Sequence, residues 1–70
     1  MNLETGVYQH YKGQYYEVIG IAMHTETEED LVVYRSLYGA FDLWVRPLTM
    51  FMETIVYEGK KMQRFAFVSR

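Results

Sequence analysis

The chain has 70 residues, a net charge of −2 and no cysteine, so disulfides and thiolate metal sites are excluded. A domain of this length buries only roughly 60% of the surface that its unfolded chain exposes. With seven Tyr, four Phe and one Trp, aromatic packing is the main available source of stability, and self-association is the other. The length indicates one domain over residues 1–70.

The composition also narrows the compartment and the partner. The acidic balance argues against a nucleic-acid partner, because phosphate contacts require a basic surface. The sequence has neither a leader pattern nor a run of about 18 apolar residues, which predicts a protein that does not cross a membrane. A chain without cysteine suits a reducing compartment, so we expect a cytoplasmic protein.

The first third of the chain predicts a β-hairpin. Residues 6–11 alternate between two faces, and Gly13 supplies the backbone freedom that a tight turn needs. Residues 15–24 are a long run of β-branched and aromatic residues, typical of a strand. Gly20, in the middle of this run, predicts a bend or a β-bulge.

The middle of the chain predicts a second hairpin after a charged loop. Residues 25–30 (TETEED) form the loop and carry four acids. Residues 31–38 and 43–46 are the two strands of this hairpin, and residues 39–42 form its turn.

The last third predicts one helical turn and two strands. Pro47 ends the preceding strand and suits the first position of a helix. Leu48, Phe51 and Met52 follow at helical spacing, and Arg46 is a poor N-cap, so we expect a 3₁₀ turn near 47–52. Strands at 54–57 and 62–68 follow, joined at 58–60.

These elements indicate an all-β fold. Several short strands with glycine turns and almost no helix are typical of a barrel or sandwich. We predict a small SH3-like five-stranded barrel with one short helical (3₁₀) turn near 47–52. An OB-like barrel is the second interpretation, and an α+β fold with a longer helix at 47–56 is the third.

Residue parity separates the central hairpin into two faces. Pairing Leu37 with Leu43 avoids placing Arg35 opposite Arg46, and it predicts an odd-numbered loop. We expect the aliphatic odd face to point to the core, with Arg35 near the strand end or reaching out to solvent. The odd set is Leu31, Val33, Leu37, Leu43 and Val45, and the even set is Val32, Tyr34, Tyr38, Trp44 and Arg46. We expect the even face to turn Tyr34, Tyr38, Trp44 and Arg46 to the outside or to a flanking strand.

Several motifs together resemble one bacterial family, the domain of unknown function numbered 1653. The resemblance runs from Gly6 to Phe65, in order and with family-like spacing. Its most specific parts are His10-Tyr11-Lys12-Gly13 and Trp44-Val45-Arg46-Pro47. Further matching runs are Gly6-Val7-Tyr8, Tyr16-Glu17-Val18-Ile19-Gly20-Ile21-Ala22, His24-Thr25-Glu26-Thr27, Val32-Val33-Tyr34, Leu37-Tyr38-Gly39 and Phe51.

The resemblance implies a free-standing cytoplasmic bacterial domain without an established activity. It also suggests that a set of polar and aromatic residues belongs to the family pattern: His10, His24, Glu26, Tyr34, Trp44 and Arg46. The chain departs from the pattern at Met23, where a basic residue is expected, and at Thr25, where Ser is expected. Met23 lowers the local positive charge and weakens the case for anion binding.

Catalytic and metal chemistry find little support in the sequence. His10, His24 and Glu26 do not have the spacing of a known metal or acid–base motif, and two histidines that hydrogen-bond to loops are the simpler interpretation. No GxSxG motif, P-loop or cysteine nucleophile is present. The acidic loop lacks the central glycine of a calcium loop. We predict no cofactor, no metal and no catalytic residue.

The even face has the composition of a binding surface, because aromatic and arginine side chains dominate interface energetics. A structural interpretation stays open, in which these rings cover the outside of a small barrel. We predict a non-catalytic module that binds a peptide or protein partner through His10, Tyr34, Tyr38, Trp44 and Arg46.

Nucleic-acid binding is the alternative function, and a small-molecule enzyme is a distant third. The sequence leaves a monomer and a weak homodimer open. The residues of the nucleic-acid alternative are Lys12, Arg35, Arg46, Lys60, Lys61 and Arg64, interleaved with Tyr34, Tyr38 and Trp44.

Overall fold

The computed structural model describes residues 3–70. Within them, strands alternate with short turns along almost the whole chain, and one helical turn interrupts the series. In chain order the elements are β1 (Gly6–His10), β2 (Tyr15–Met23), β3 (Asp30–Ser36), β4 (Leu43–Pro47), α1 (Leu48–Phe51), β5 (Thr54–Tyr57), β6 (Lys60–Gln63) and β7 (Phe65–Ser69).

The strands form two antiparallel sheets. Five strands pair in the order β4-β3-β2-β1-β7, and β5 and β6 form a separate two-stranded hairpin. This architecture confirms the all-β prediction with five main strands and one short helical turn. The SH3-like assignment stays a prediction. No helix within residues 3–70 combines the length and hydropathy needed to cross a membrane.

The last predicted strand, 62–68, is wrong because the chain changes sheet within it. Met62 belongs to β6 and Phe65 to β7, and Arg64 lies between them. The backbone N–H of Arg64 donates to the Glu53 carbonyl oxygen at 2.9 Å, in line with the small hairpin, and its carbonyl oxygen accepts from the N–H of Tyr11 at 3.0 Å, in line with the pairing of β1 and β7. Arg64 therefore connects the two sheets. The hairpin turn at Glu58 and Gly59 has φ of 51° and 79°, the left-handed pair that a two-residue turn requires.

The helical turn is α-helical, so the 3₁₀ prediction is wrong. The N–H of Met52 donates to the carbonyl oxygen of Leu48 at 3.0 Å, which is the bond of an α-helix. A shorter-range bond, from Glu53 to Met50 at 3.3 Å, occurs only at its end. Leu48 and Phe51 are both buried one turn apart, so packing of this apolar side stabilises a turn that has no side-chain cap.

The predicted irregularity in the long strand is confirmed. Along β2, Val18 pairs with Tyr34 and Gly20 with Val33, so Ile19 is an extra residue in the ladder. A bulge of this kind reverses the alternation of faces along a strand. Val18 before the bulge and Ile21 after it therefore lie on the same side of the sheet, the side of Tyr34.

The hairpin of β3 and β4 has the predicted parity but not the predicted register. Tyr34 pairs with Trp44, Val33 with Val45 and Arg35 with Leu43, so odd residues oppose odd and even oppose even. The predicted pairing of Leu37 with Leu43 is wrong by two residues. This register also keeps Arg35 away from Arg46; Arg35 donates to the carbonyl oxygen of Phe41 at 2.9 Å.

The prediction that the odd face points to the core is wrong as well. The inner face carries the even residues Val32, Tyr34 and Ser36, which are all buried, whereas Leu43 and Val45 are 55% and 61% exposed. The reason is what the face meets. On the even face, Tyr34 contacts the rings of Phe51 in α1 and Phe65 in β7, and aromatic rings bury more apolar area than aliphatic chains.

Stacked aromatic rings fill the core. Phe51 and Phe65 lie parallel with centroids 4.1 Å apart, and Tyr8 and Tyr34 meet Phe51 edge-on at 5.5 and 5.4 Å. These geometries are the ones that aromatic pairs favour. The complete buried apolar set is Tyr8, Val18, Val32, Tyr34, Leu48, Phe51 and Phe65.

Candidate functional site

Trp44 lies on β4, an edge strand of the five-stranded sheet, and is 50% exposed. Its neighbour across the ladder is Tyr34, so it starts on the inner face of the sheet. In the described part of the chain, no other aromatic ring forms a pair with the indole. An indole with this exposure has apolar area available for a partner.

Tyr34 does not share this exposure, which corrects the prediction that it faces the outside or a flanking strand. Its side chain is 5% exposed, and its ring contacts Tyr16, Phe51 and Phe65 edge-on at 5.4 to 5.7 Å. The hydroxyl is still useful, because it accepts a hydrogen bond from Nε of Arg46 at 3.4 Å. Tyr34 therefore positions Arg46.

Arg46 is half-buried and lies two residues along β4 from Trp44. The central carbon of its guanidinium is 5.7 Å from the centroid of the Phe65 ring, a cation–π distance. Among residues 3–70, the ion pairs are those of Arg64 with Glu53 and Arg70 with Glu4, so Arg46 has no acidic partner there. This guanidinium is fixed in place and remains available to an anionic group.

His10 completes this group from the end of β1. Its ring lies 4.9 Å from that of Phe65 and 6.3 Å from that of Tyr16. Burial lowers the pKa of His10 below its ordinary value, and the charges of Arg46, Arg64 and Lys12 lower it further. Three cations therefore influence one imidazole, and the neutral form of His10 is favoured.

Both histidines accept hydrogen bonds from the turns that follow them. Nδ1 of His10 accepts from the N–H of Lys12 at 3.2 Å, and Nδ1 of His24 accepts from the N–H of Glu26 at 3.1 Å. An imidazole that accepts at Nδ1 carries its proton at Nε2. Across residues 3–70, no three His, Asp or Glu side chains form a group that could hold a metal ion.

Tyr38 contacts Tyr16, a residue that the sequence did not point to as part of the site. The hydroxyls of Tyr38 and Tyr16 lie 2.6 Å apart, and their rings meet edge-on at 5.5 Å. Burial raises the pKa of Tyr16 to about 12, with the hydrogen bond to Tyr38 as the next cause. Tyr16 shares parity with Val18 before the bulge, and that signal places it on the inner face.

The five predicted residues therefore divide into two groups. Tyr34 lies in the core, and the other four are half-buried or exposed. We call these four, together with Tyr16, the aromatic–arginine surface: His10, Tyr16, Tyr38, Trp44 and Arg46.

Two cavities in the described part of the chain are lined by residues outside this surface. One, of about 160 Å³, is mostly apolar and contains none of the predicted site residues. The other, of about 220 Å³, lies between the acidic loop and α1. Small-molecule sites usually measure about 300–1,000 Å³. The first cavity is lined by Leu3, Tyr8, Phe51, Met52, Gln63, Phe65 and Phe67, and the second by Glu29, Asp30, Leu48 and Thr49.

Comparison with known proteins supports the resemblance seen in the motifs. The fold is similar to the crystal structure of a DUF1653 protein from Bordetella bronchiseptica, with a TM-score of 0.89 and 38% sequence identity over 96% of this chain and 88% of that chain. Comparison with curated proteins gives no match. The model of the family described as "Protein of unknown function (DUF1653)" matches residues 6–67. The chain therefore belongs to the DUF1653 family.

Proposed function

We propose that this protein is a non-catalytic interaction module that binds an extended segment of a protein along β4. The observation that carries the proposal is Trp44, a half-exposed indole on an edge strand, which has no aromatic partner among residues 3–70. Aromatic and arginine residues supply most of the energy of protein interfaces. Arg46 lies on the same side of the same strand.

The backbone of β4 supports this mode of binding. Ser36 donates to the carbonyl oxygen of Asp42 at 3.1 Å, and hydrogen-bonded pairs alternate along an antiparallel ladder. The bonded pairs are therefore those of Trp44 and Arg46, whereas the N–H and C=O groups of Leu43 and Val45 point away from β3. Within the described residues no strand pairs with that side of β4, so a segment can add to it.

Charge supports an acidic residue in the bound segment. Arg46 has no carboxylate partner among residues 3–70, although the chain as a whole is acidic. A segment that lies beside β4 has alternate side chains on the inner face, next to Trp44 and Arg46. An acidic side chain there neutralises the guanidinium and pairs with it in two hydrogen bonds.

The proposal is tested by capture of partners from a nuclease-treated bacterial lysate with the immobilised protein. Trp44→Ala is expected to abolish capture while keeping the far-UV spectrum and a cooperative thermal melt. Tyr15→Ala is the matched control, because Tyr15 is an aromatic residue of similar exposure, 45%, in β2. Equal capture by the Trp44→Ala variant and the wild-type protein would refute the proposal.

Single-stranded nucleic acid is the second candidate. The observation in its favour is that three cations, those of Arg46, Arg64 and Lys12, act on His10, and that the rings of Tyr38 and Trp44 are about half-exposed. Stacking of bases on aromatic rings together with cationic contacts is the usual mode of such binding. Loss of the captured material after nuclease treatment, with affinity that falls steeply as salt rises, would favour this candidate.

The same proposal puts the module in the cytoplasm of a bacterium, because a chain without cysteine suits a reducing compartment. It also assigns no catalytic role to His10. The aromatic–arginine surface is open, and general acid–base catalysis is most effective in a pocket that excludes water.

A further inference from the structure

We propose that the segment bound along β4 is the β4 strand of a second copy of this chain, antiparallel to the first about a two-fold axis. The inference rests on the proposed function, in which the edge of β4 receives an extended protein segment. It names the occupant of that edge. The two five-stranded sheets then form one continuous sheet.

The backbone selects one register for this pairing. The groups that point outward belong to Leu43, Val45 and Pro47, and Pro47 has no N–H to donate. Pairing Leu43 with the partner's Val45 gives, with its symmetric copy, four backbone hydrogen bonds that avoid Pro47. If the register shifts by two residues in one direction, Pro47 lies opposite the partner's Leu43, and the pair lacks the N–H donor that Pro47 does not have. A shift in the other direction leaves Val45 opposite the loop.

The same register brings the two indoles together. Trp44 lies opposite the partner's Trp44 at the two-fold axis, in a pair that has no backbone hydrogen bonds of its own. Side chains approach most closely in such pairs, where Cα atoms are about 4.5 Å apart. Leu43 and Val45 lie on the outer face and are 55% and 61% exposed. In this register Leu43 packs against the partner's Val45, and Val45 packs against the partner's Leu43. The pairing thus buries the most exposed apolar residues of β4.

Charge makes the edge complementary to itself. In this register Asp42 lies opposite the partner's Arg46, and symmetry repeats the pair. Asp42 is exposed and continues the ladder of β4 by one residue, because its carbonyl oxygen accepts from Ser36. Arg46 has no acidic partner within residues 3–70, so Asp42 of the partner supplies the missing carboxylate. No like charges face each other along the strand.

Sedimentation equilibrium on the full chain tests the proposal. The wild-type protein is expected to show a reversible monomer–dimer equilibrium, with the fluorescence of Trp44 shifting to shorter wavelength as dimer forms. Asp42→Lys turns two ion pairs into two repulsive contacts and is expected to weaken the dimer about tenfold or more. The control is Glu26→Lys, which makes the same change of net charge in the acidic loop and should leave the dimer unchanged.

A mixing experiment isolates the predicted pair. Arg46→Glu is expected to weaken its own dimer as Asp42→Lys does. A mixture of the two variants restores complementary charges at both positions, so a heterodimer should form at wild-type strength. Val45→Pro supplies a second variant in case the change at Arg46 disturbs the fold. It removes an outward N–H and the Val45 side chain but leaves the hydrogen bonds to β3, so it too should give a folded monomer.

Two results would overturn the inference. One is a wild-type protein that stays monomeric up to about 1 mM, a concentration at which even weak association is detected. The other is a dimer that Asp42→Lys and Val45→Pro leave intact. If the wild-type protein is monomeric but still captures a partner through Trp44, the self-pairing fails and the interaction module stands. If Trp44→Ala changes neither dimer nor capture, both fail.

Discussion

Phe51 is expected to be the residue whose truncation destabilises the fold most. Its side chain is 1% exposed, it stacks on Phe65 at 4.1 Å, and two tyrosine rings meet it edge-on. Replacement of a buried Phe by Ala costs about 3–5 kcal/mol. A stability of about 0.05–0.15 kcal/mol per residue gives this chain about 4–10 kcal/mol in total. Phe51→Ala is therefore expected to remove between a third and all of it.

Urea denaturation followed by circular dichroism measures this loss. Met50→Ala is the control, because Met50 is its neighbour in α1 but is 46% exposed, and its truncation should change the free energy of unfolding by no more than about 0.5 kcal/mol. Phe51→Leu keeps part of the apolar volume and should destabilise the fold less than Phe51→Ala. It therefore provides a measurable loss of free energy of unfolding if Phe51→Ala does not fold. A loss below about 1.5 kcal/mol for Phe51→Ala would refute the aromatic core described above.

Three further predictions concern backbone strain and ionisation. Gly6→Ala is expected to lower the free energy of unfolding by about 1–3 kcal/mol in thermal melts, because Gly6 has φ +134° and an added Cβ would lie 2.5 Å from a carbonyl oxygen of β7. Gly20→Ala is the control, since its Cβ meets open space, and it should cost less than about 1 kcal/mol. Equal losses for the two variants would contradict this geometry. Stability should fall as the pH rises from about 10 towards 12, because the folded state holds the proton of Tyr16 more tightly than the unfolded chain does; Tyr16→Phe should flatten this part of the pH profile of unfolding. NMR titration of His10 should give a midpoint below 6.5 that rises in Arg46→Ala, and the stability that neutral His10 contributes should be present above pH 6.5 and lost as the pH falls; a midpoint that ignores Arg46 would contradict the electrostatic cause.

Local signals in the sequence predicted the first strands, the turns and the bulge in β2. Gly13 and Gly59 mark the tight turns, and both have positive φ. Gly20 marks the bulge in β2, because the register against β3 shifts between Val18 and Gly20. Each of these features depends on the conformational freedom of one or two residues, which the sequence shows directly.

The inward face of the β3–β4 hairpin depends on partners that are distant in sequence. Parity alone separated the odd residues from the even ones correctly, but it carries no information about which set is buried. That choice follows from Phe51 and Phe65, which cover the even side of the sheet. The odd residues are aliphatic and were therefore expected in the core, but the positions of Phe51 and Phe65 decide which face is buried.

The candidate site was predicted in part for the same reason. Trp44 is exposed as expected, because it lies on an edge strand of the sheet. Tyr34 is buried, since it occupies the centre of the sheet where the rings converge. Tyr16 was missed, although its hydroxyl is within hydrogen-bonding distance of Tyr38, because only the register of β2 against β3 brings the two together.

The most direct test of the account is amide hydrogen exchange along β4, measured residue by residue with NMR. The N–H groups of Trp44 and Arg46 are expected to be protected by their bonds to β3, while those of Leu43 and Val45 exchange fast in the dilute protein. On binding of a partner or a second copy, Leu43 and Val45 should become protected as well. Protection of Leu43 and Val45 in the dilute, unbound chain, or their continued fast exchange in a Trp44-dependent complex, would contradict the claim that this edge is the binding site.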